Sequence, residues 1–258
     1  MRHQQIKRIV DGAKTAILFI HGIIGTPDQF NDLIPFVRKD ISIYNILLDG
    51  HGKGVRDFSE TSMKKWEAQV KSAVKELALN HERIIIVGHS MGTLFAIEQA
   101  TECEKVEELF LMNVPISIFV KPRMLLTTVK VYFNKVTPDD KIATAAEKSY
   151  GICDRRNVFL YLGWIPRYLE LFSKIRKTRK ILPKLSVRCN AFQSSKDEMV
   201  AKSSIKYLKR HSEMTVNELK SSGHYYYQED DLNFVKNKFK DMIERIPSDN
   251  EFQQEFNR

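Results

Sequence analysis

The chain is poor in cysteine, proline and glycine, with three Cys, eight Pro and 11 Gly in 258 residues. So little Gly and Pro excludes a low-complexity or collagen-like chain. Cys103, Cys153 and Cys189 are odd in number, far apart and without a CxxC spacing, which argues against a disulfide scaffold or a zinc finger. No apolar run approaches the roughly 18–20 residues of a membrane helix. Residues 109–120 form the longest uncharged apolar stretch in the middle of the chain, and Asn113 and Pro115 interrupt it. The opening MRHQQIKRIVDGAK has basic residues but lacks the apolar core of a secretory signal. These absences make a reducing cytoplasm the expected compartment. What remains, 28% charged and 43% hydrophobic residues, is the composition of a soluble globular protein. The length suits one domain, with room for an insertion.

The net charge of +9 is unevenly placed. Residues 113–190 hold 16 Lys/Arg against 5 Asp/Glu, whereas the rest holds 25 basic and 27 acidic residues. A solvated helical face is the first explanation, and an anionic surface or substrate the second. No nucleic-acid motif accompanies the basic residues, so no nucleic-acid partner is expected.

Along the chain, short apolar runs alternate with helical patterns. TAILFI (15–20), IYNILL (43–48), IIIV (84–87), residues 109–112, 186–193 and 214–219 read as strands, several of them buried on both faces. Thr26-Pro27 opens an expected helix carrying Phe30, Leu33, Ile34 and Val37. Ser62 is placed to cap another with Met63, Trp66, Val70, Val74 and Leu77 on one face. A last helix shows Leu232, Val235, Phe239 and Ile243, and the polar tail after Pro247 is expected to fray. Repeated strand–helix units imply an α/β fold, with a mostly parallel central sheet and helices on both faces. The alternation breaks over 114–182, a stretch expected to be a helical insertion. The core is then 1–113 and 183–258.

Active sites in such sheets lie at the carboxyl ends of the strands. There Gly88-His89-Ser90-Met91-Gly92 fits G-x-S-x-G between a buried strand and a helix. A nucleophile on that strained turn needs small residues on either side, and the helix N-terminus favours developing negative charge. Serine needs a base, and the base an orienting acid, expected in the order Ser, Asp/Glu, His. Asp197 follows a strand end, with Glu198 as its rival; His224 follows the next strand. The oxyanion hole needs two backbone N–H donors. Met91, after the nucleophile, is one; Ile23, in the His21–Gly25 loop that Gly22 and Gly25 allow to turn, is the other. His51 reads as structural, because the triad already supplies a base. Trp164 and Tyr161 fit packing or an acyl-chain wall equally. Tyr225, Tyr226 and Tyr227 read first as packing.

HGIIGTP (21–27), LDGHG (48–52), GHSMG (88–92), KDEMV (196–200) and SGH (222–224) stand in the order of the α/β-hydrolase fold. The chain resembles its carboxylesterase and monoacylglycerol-lipase-like branch from about residue 15 to 245. The resemblance implies Ser90 as nucleophile, Asp197 as acid, His224 as base and Ile23 and Met91 as oxyanion donors. It also implies that 114–182 is a cap or lid. The cap is unusually basic, and the second-strand turn reads LDGHG where relatives often have a Pro before the Gly.

The expected activity is hydrolysis of a small-molecule carboxylic ester with an apolar acyl group, through an acyl-enzyme and without metal or organic cofactor. Cleavage of amides, as in proline-iminopeptidase-like relatives, is the nearest alternative. A non-catalytic ligand-binding protein on the same scaffold is another. Dehalogenase chemistry would want an Asp in place of Ser90. The basic cap gives a further expectation, weak contact with an anionic lipid surface. Oligomeric state is not legible.

Overall fold

A computed structural model describes residues 3–152 and 157–248. Cys153 and the tail from 249 onward therefore lie outside the described residues. Seven strands form one sheet: β1 (Ile6–Arg8), β2 (Thr15–Ile20), β3 (Ser42–Ile46), β4 (Arg83–His89), β5 (Val106–Met112), β6 (Arg188–Ser194) and β7 (Met214–Leu219). Their order across the sheet is β1-β3-β2-β4-β5-β6-β7. Only β1 runs antiparallel, against β3 at the edge.

The apolar runs form central strands because both sheet faces are covered. In β2, Ala16, Leu18 and Ile20 point into one core layer and Ile17 and Phe19 into the other. Ile84 and Ile86 divide from Ile85 and Val87 in the same way on β4. The first layer holds α2 (Met63–Asn80) and α3 (Met91–Glu102); the second holds α8 (Glu229–Glu244). Ser62 caps α2 by accepting from the Lys65 N–H at 3.2 Å.

The helix expected from Thr26 to Val37 is instead two short 3-10 turns, Pro27–Phe30 and Ile34–Phe36. Pro35 lacks the N–H that would bond to the carbonyl of Asn31 and disfavours helical geometry at Ile34. Phe30, Leu33 and Val37 are nevertheless buried in the second layer. Two short helices, α1 (Val55–Glu60) and α7 (Ser203–Leu208), and strand β1 carry too few periodic residues to be read from sequence.

Between β5 and β6 the chain is helical: α4 (Pro122–Tyr132), α5 (Lys141–Ser149), a 3-10 stretch Val158–Trp164 and α6 (Ile165–Ile181). No helix among the described residues is long and apolar enough to cross a membrane.

Lys174 ties α6 to the core. It is 2% exposed, and its ammonium reaches Glu67 on α2 at 2.9 Å and also Glu98 on α3. Glu170 accepts from the Met63 N–H at 2.9 Å, and Arg179 donates to the Ile116 carbonyl. Trp164 is buried; its indole N–H donates to the Val55 carbonyl at 3.1 Å, and its ring lies 4.7 Å from Phe58. Tyr161 packs on Trp164 at 4.6 Å. Trp164 thus packs against α1, with Tyr161 behind it.

Candidate active site

β4 ends at His89, α3 begins at Met91, and Ser90 is the single residue between them. Its φ of 50° and ψ of −121° are left-handed backbone for a non-glycine residue, costing on the order of 1–3 kcal/mol. Neighbouring bonds hold it there: the Ser90 N–H donates to Met112 O at 2.8 Å, and its carbonyl accepts from the Thr93 hydroxyl. The flanking glycines are needed for close approach. A Cβ on Gly92 would sit 2.0 Å from the Ile20 carbonyl oxygen, and one on Gly88 2.9 Å from the Thr93 backbone.

His224 lies after β7 and Asp197 after β6. His224 Nδ1 and Asp197 Oδ2 are 2.8 Å apart, and both side chains are 1% exposed. An ionised carboxylate can only accept from the ring N–H, so the bond to Asp197 places a proton on Nδ1. Asp197 Oδ1 takes two further hydrogen bonds at 2.7 Å, from the Met199 and Val200 N–H groups. Burial works to raise the Asp197 pKa, but His224 and these two amides together hold it below the usual carboxylate range. Glu198 does something else: its Oε2 accepts from the His224 backbone N–H at 2.8 Å. The two adjacent carboxylates thus take the ring and the main chain of the same histidine.

His224 Nε2 is buried without a hydrogen-bond partner. No hydrogen bond joins it to the Ser90 hydroxyl; such catalytic contacts commonly tighten only with substrate in place. The His89 ring packs beside His224. It immediately precedes Ser90 in the sequence, donates from Nε2 to the His224 carbonyl at 3.2 Å, and lies 5.2 Å from the His224 ring. Burial, then the neighbouring His224, lowers the His89 pKa to about 3.

The His21–Gly25 loop lies against Ser90, since a Cβ on Gly22 would come 3.0 Å from the Ser90 Cβ. The left-handed residue of this loop is Ile24, at φ 54°, not Gly22 or Gly25. Gly22 serves close packing instead. Met91, as the first residue of α3, has no acceptor within its own helix. His21 is fully buried: it bonds to Gly22 O through Nδ1 at 2.8 Å and accepts from the Leu48 N–H at Nε2. His51 is also buried, packed on His21, Phe58 and Trp66. Burial lowers its pKa to about 4.

Asn113 was missed by the sequence reading. It follows β5 with φ 55°, and its Nδ2 donates to the His224 carbonyl at 3.1 Å and to the Tyr227 hydroxyl at 3.0 Å. Its Oδ1 accepts from the Ser194 N–H at 3.0 Å. The available signal was an Asn, one of the few side chains that tolerate left-handed backbone, directly after a buried strand.

A cavity of about 630 Å³ opens beside the site, with His89 and Tyr225 on its inner wall and Asp28, Asp32 and Lys148 further out. Ile23, Met91, Val114 and Ile116 belong to one apolar layer with Ile152 and Trp164 of the inserted segment. Among the described residues no group of three His, Cys, Asp or Glu could hold a metal ion.

The sequence matches a family model described as "Alpha/beta hydrolase family" over residues 17–235. No curated protein sequence matches it. A metagenome-derived lipolytic enzyme superposes with TM-score 0.72 at 17% identity, covering 95% of this chain and 98% of that one. The monoacylglycerol lipase of Paleococcus ferrophilus gives 0.65 at 15% identity, covering 95% and 99%. A putative ancestral haloalkane dehalogenase gives 0.62 at 14% identity, covering 93% and 94%. Identities this low show a shared fold and leave the chemistry to the site.

Proposed function

The chain belongs to the alpha/beta hydrolase family, and from that premise we propose that it is a serine hydrolase cleaving carboxylic esters. The observation that carries this reading is Ser90 on its strained turn beside the buried His224–Asp197 pair. A dehalogenase mechanism would place a carboxylate where Ser90 stands.

In this reading His224 Nε2 takes the Ser90 proton as the hydroxyl attacks the ester carbonyl. Asp197 fixes the tautomer and stabilises the imidazolium. The N–H groups of Ile23 and Met91 receive the tetrahedral oxyanion. The alcohol leaves with the proton from His224, and water then releases the acid from Ser90. No step calls for a metal or organic cofactor. Segment 114–182 acts as a cap over the carboxyl ends of the strands. The apolar layer around Ile23, Val114 and Ile116 favours an apolar acyl group.

Amide cleavage with capture of a substrate amino group is the second reading. It draws on Asp28 and Asp32 in the neighbouring cavity. Both already have partners, His3 at 3.4 Å and Lys236 at 2.8 Å, which weakens it. The test is hydrolysis of p-nitrophenyl esters from acetate to palmitate beside aminoacyl p-nitroanilides, with wild type and Ser90→Ala. Ser90→Ala is expected to lower kcat by roughly 10⁴-fold or more, as triad deletions do. Ester turnover equal in both proteins would sink the proposal, and Ser90-dependent turnover of anilides alone would favour the second reading.

A further inference from the structure

Helix α4 is apolar on two faces. Met124 and Val131 are buried, whereas Leu125, Leu126, Val129 and Phe133 beside them are between 52% and 63% exposed. A helix packed on one side only should carry polar residues on the other. The unpartnered face continues into the next part of the cap, because Tyr132 meets Tyr161 with ring centroids 5.9 Å apart. There Phe159 is 75% and Leu162 61% exposed. Among the described residues, 12 of the 16 exposed large apolar side chains fall within 114–182, about a quarter of the chain. Scattered exposed leucines need no explanation, but a concentration like this marks an interaction surface.

Charge identifies the partner. Arg123 and Lys135 are exposed beside this apolar stripe. Of the acids following α4, Asp140 is held by Lys130, and Asp139 and Glu147 are outnumbered by Arg123, Lys130, Lys135, Lys141 and Lys148 on the same stretch. The segment as a whole carries the chain's entire positive excess. A second copy docking the same face in a two-fold manner would bring two basic surfaces together. Apolar side chains interleaved with Lys and Arg along one helix suit a negatively charged lipid surface, where the former enter the acyl boundary and the latter meet phosphate.

We propose that the outer face of the cap is a docking surface for an anionic lipid bilayer. The proposal is independent of the chemistry at Ser90, so the test uses full-length Ser90→Ala protein, which leaves the lipid intact. Co-sedimentation compares phosphatidylcholine vesicles with vesicles containing about 30% phosphatidylglycerol, at roughly 50 mM and 500 mM salt, where screening lengths differ several-fold. Binding is expected on the anionic vesicles, falling steeply at high salt. Leu126→Ser with Val129→Ser should reduce partitioning roughly tenfold or more, given the apolar area withdrawn from the lipid. Arg123→Ser with Lys135→Ser should reduce it by an order of magnitude or more, from roughly fivefold for each charge at an anionic surface. Leu79→Ser, at an 81% exposed leucine on α2, should change nothing. Equal binding to both vesicles, no binding to either, or binding untouched by the cap substitutions overturns the proposal. So does a stable dimer in sedimentation velocity that the Leu126/Val129 pair dissolves, since a second copy would then own this face.

Discussion

The Asn113 amide holds the carbonyl of His224 at 3.1 Å, so the residue that follows β5 fixes the height of the proposed base above the sheet. The same side chain ties down Tyr227 and Ser194, the chain after the base and the end of β6 before the acid. It acts through its neighbours and touches no reacting atom.

Asn113→Ala should therefore lower kcat about tenfold or more, with KM little changed, a barrier increase of about 1.4 kcal/mol. The lost buried hydrogen bonds and the left-handed backbone should cost stability as well, on the order of 1–3 kcal/mol. Asn113→Gly separates the two effects, because glycine accepts φ 55° without strain but offers no amide. It should regain part of the stability and none of the turnover. Recovery of both in the Gly variant would show that only backbone conformation matters here.

Asp197→Asn and Glu198→Gln test the division of labour between adjacent carboxylates. Asp197 faces the His224 ring, so its amide variant should present the wrong tautomer and lose roughly 10⁴-fold in kcat, as such changes do in other triads. Glu198 holds the His224 main-chain N–H at 2.8 Å. A glutamine can still accept that bond, so a loss of under about tenfold is expected, within the range of one weakened hydrogen bond. Steady-state kinetics on one ester, with the order reversed, would move the acid to Glu198.

Much of this architecture was legible in advance, and the failures have physical causes. β2 and β7 fall on the residues expected, 15–20 and 214–219, because the bounded apolar run of the one and the apolar–polar alternation of the other leave little freedom. Residues 26–37 misled because their apolar spacing is helical while Pro35 forbids the helix. Strand β1 is all exposed and exists only through its pairing with β3, which no local pattern records. At the site, chain order singled out Ser90, Asp197 and His224 as candidates. It could not separate Asp197 from Glu198 by spacing, since both leave the same strand. The turn that gives Asp197 Oδ1 two amides, and so points Oδ2 at the ring, is a three-dimensional fact. The role of Asn113 was hidden for the same reason, since its partners are 81, 111 and 114 residues away.

Gly92→Ala should fail at the level of folding. Its Cβ would lie 2.0 Å from Ile20 O and 2.8 Å from His21 O, both backbone atoms of a central strand and the loop after it. Neither can move without separating β2 from α3. A destabilisation of about 3 kcal/mol or more is expected, the top of the overpacking range. Urea unfolding measures it; a midpoint within error of wild type would mean that α3 can shift freely.

Lys174→Met tests how firmly α6 is anchored. The substitution fills the space of the stem but leaves Glu67 and Glu98 facing each other without their cation. Breaking a fully buried pair costs about 3–5 kcal/mol; here about 2–3 is expected, because both carboxylates keep some contact with water. Proteolysis near α6 should rise with it. Unchanged stability would show that α6 is held by its apolar contacts alone.

The buried histidines predict acid lability well above the carboxylate range. Burial, with the charge of His51 as a second cause, puts the folded pKa of His21 well below 6.5; His51 lies at about 4 and His89 at about 3. In the unfolded chain all three titrate near 6.5. Between these values the unfolded state binds protons that the folded state refuses, so stability falls as pH drops below about 6.5. Each group adds a slope of about 1.4 kcal/mol per pH unit, so the three together approach about 4 near pH 5. Asp197, with its pKa depressed, works in the same direction only at lower pH, losing its contribution as it is protonated. Urea unfolding at pH 7.5, 6 and 5 should show a loss of about 2 kcal/mol over the first interval and a steeper one, about 3–4 kcal/mol, over the second. His51→Gln should shallow the second by about one proton's worth, about 1.4 kcal/mol per unit. Equal stability at pH 7.5 and 5 would mean that these histidines take up protons without unfolding the core.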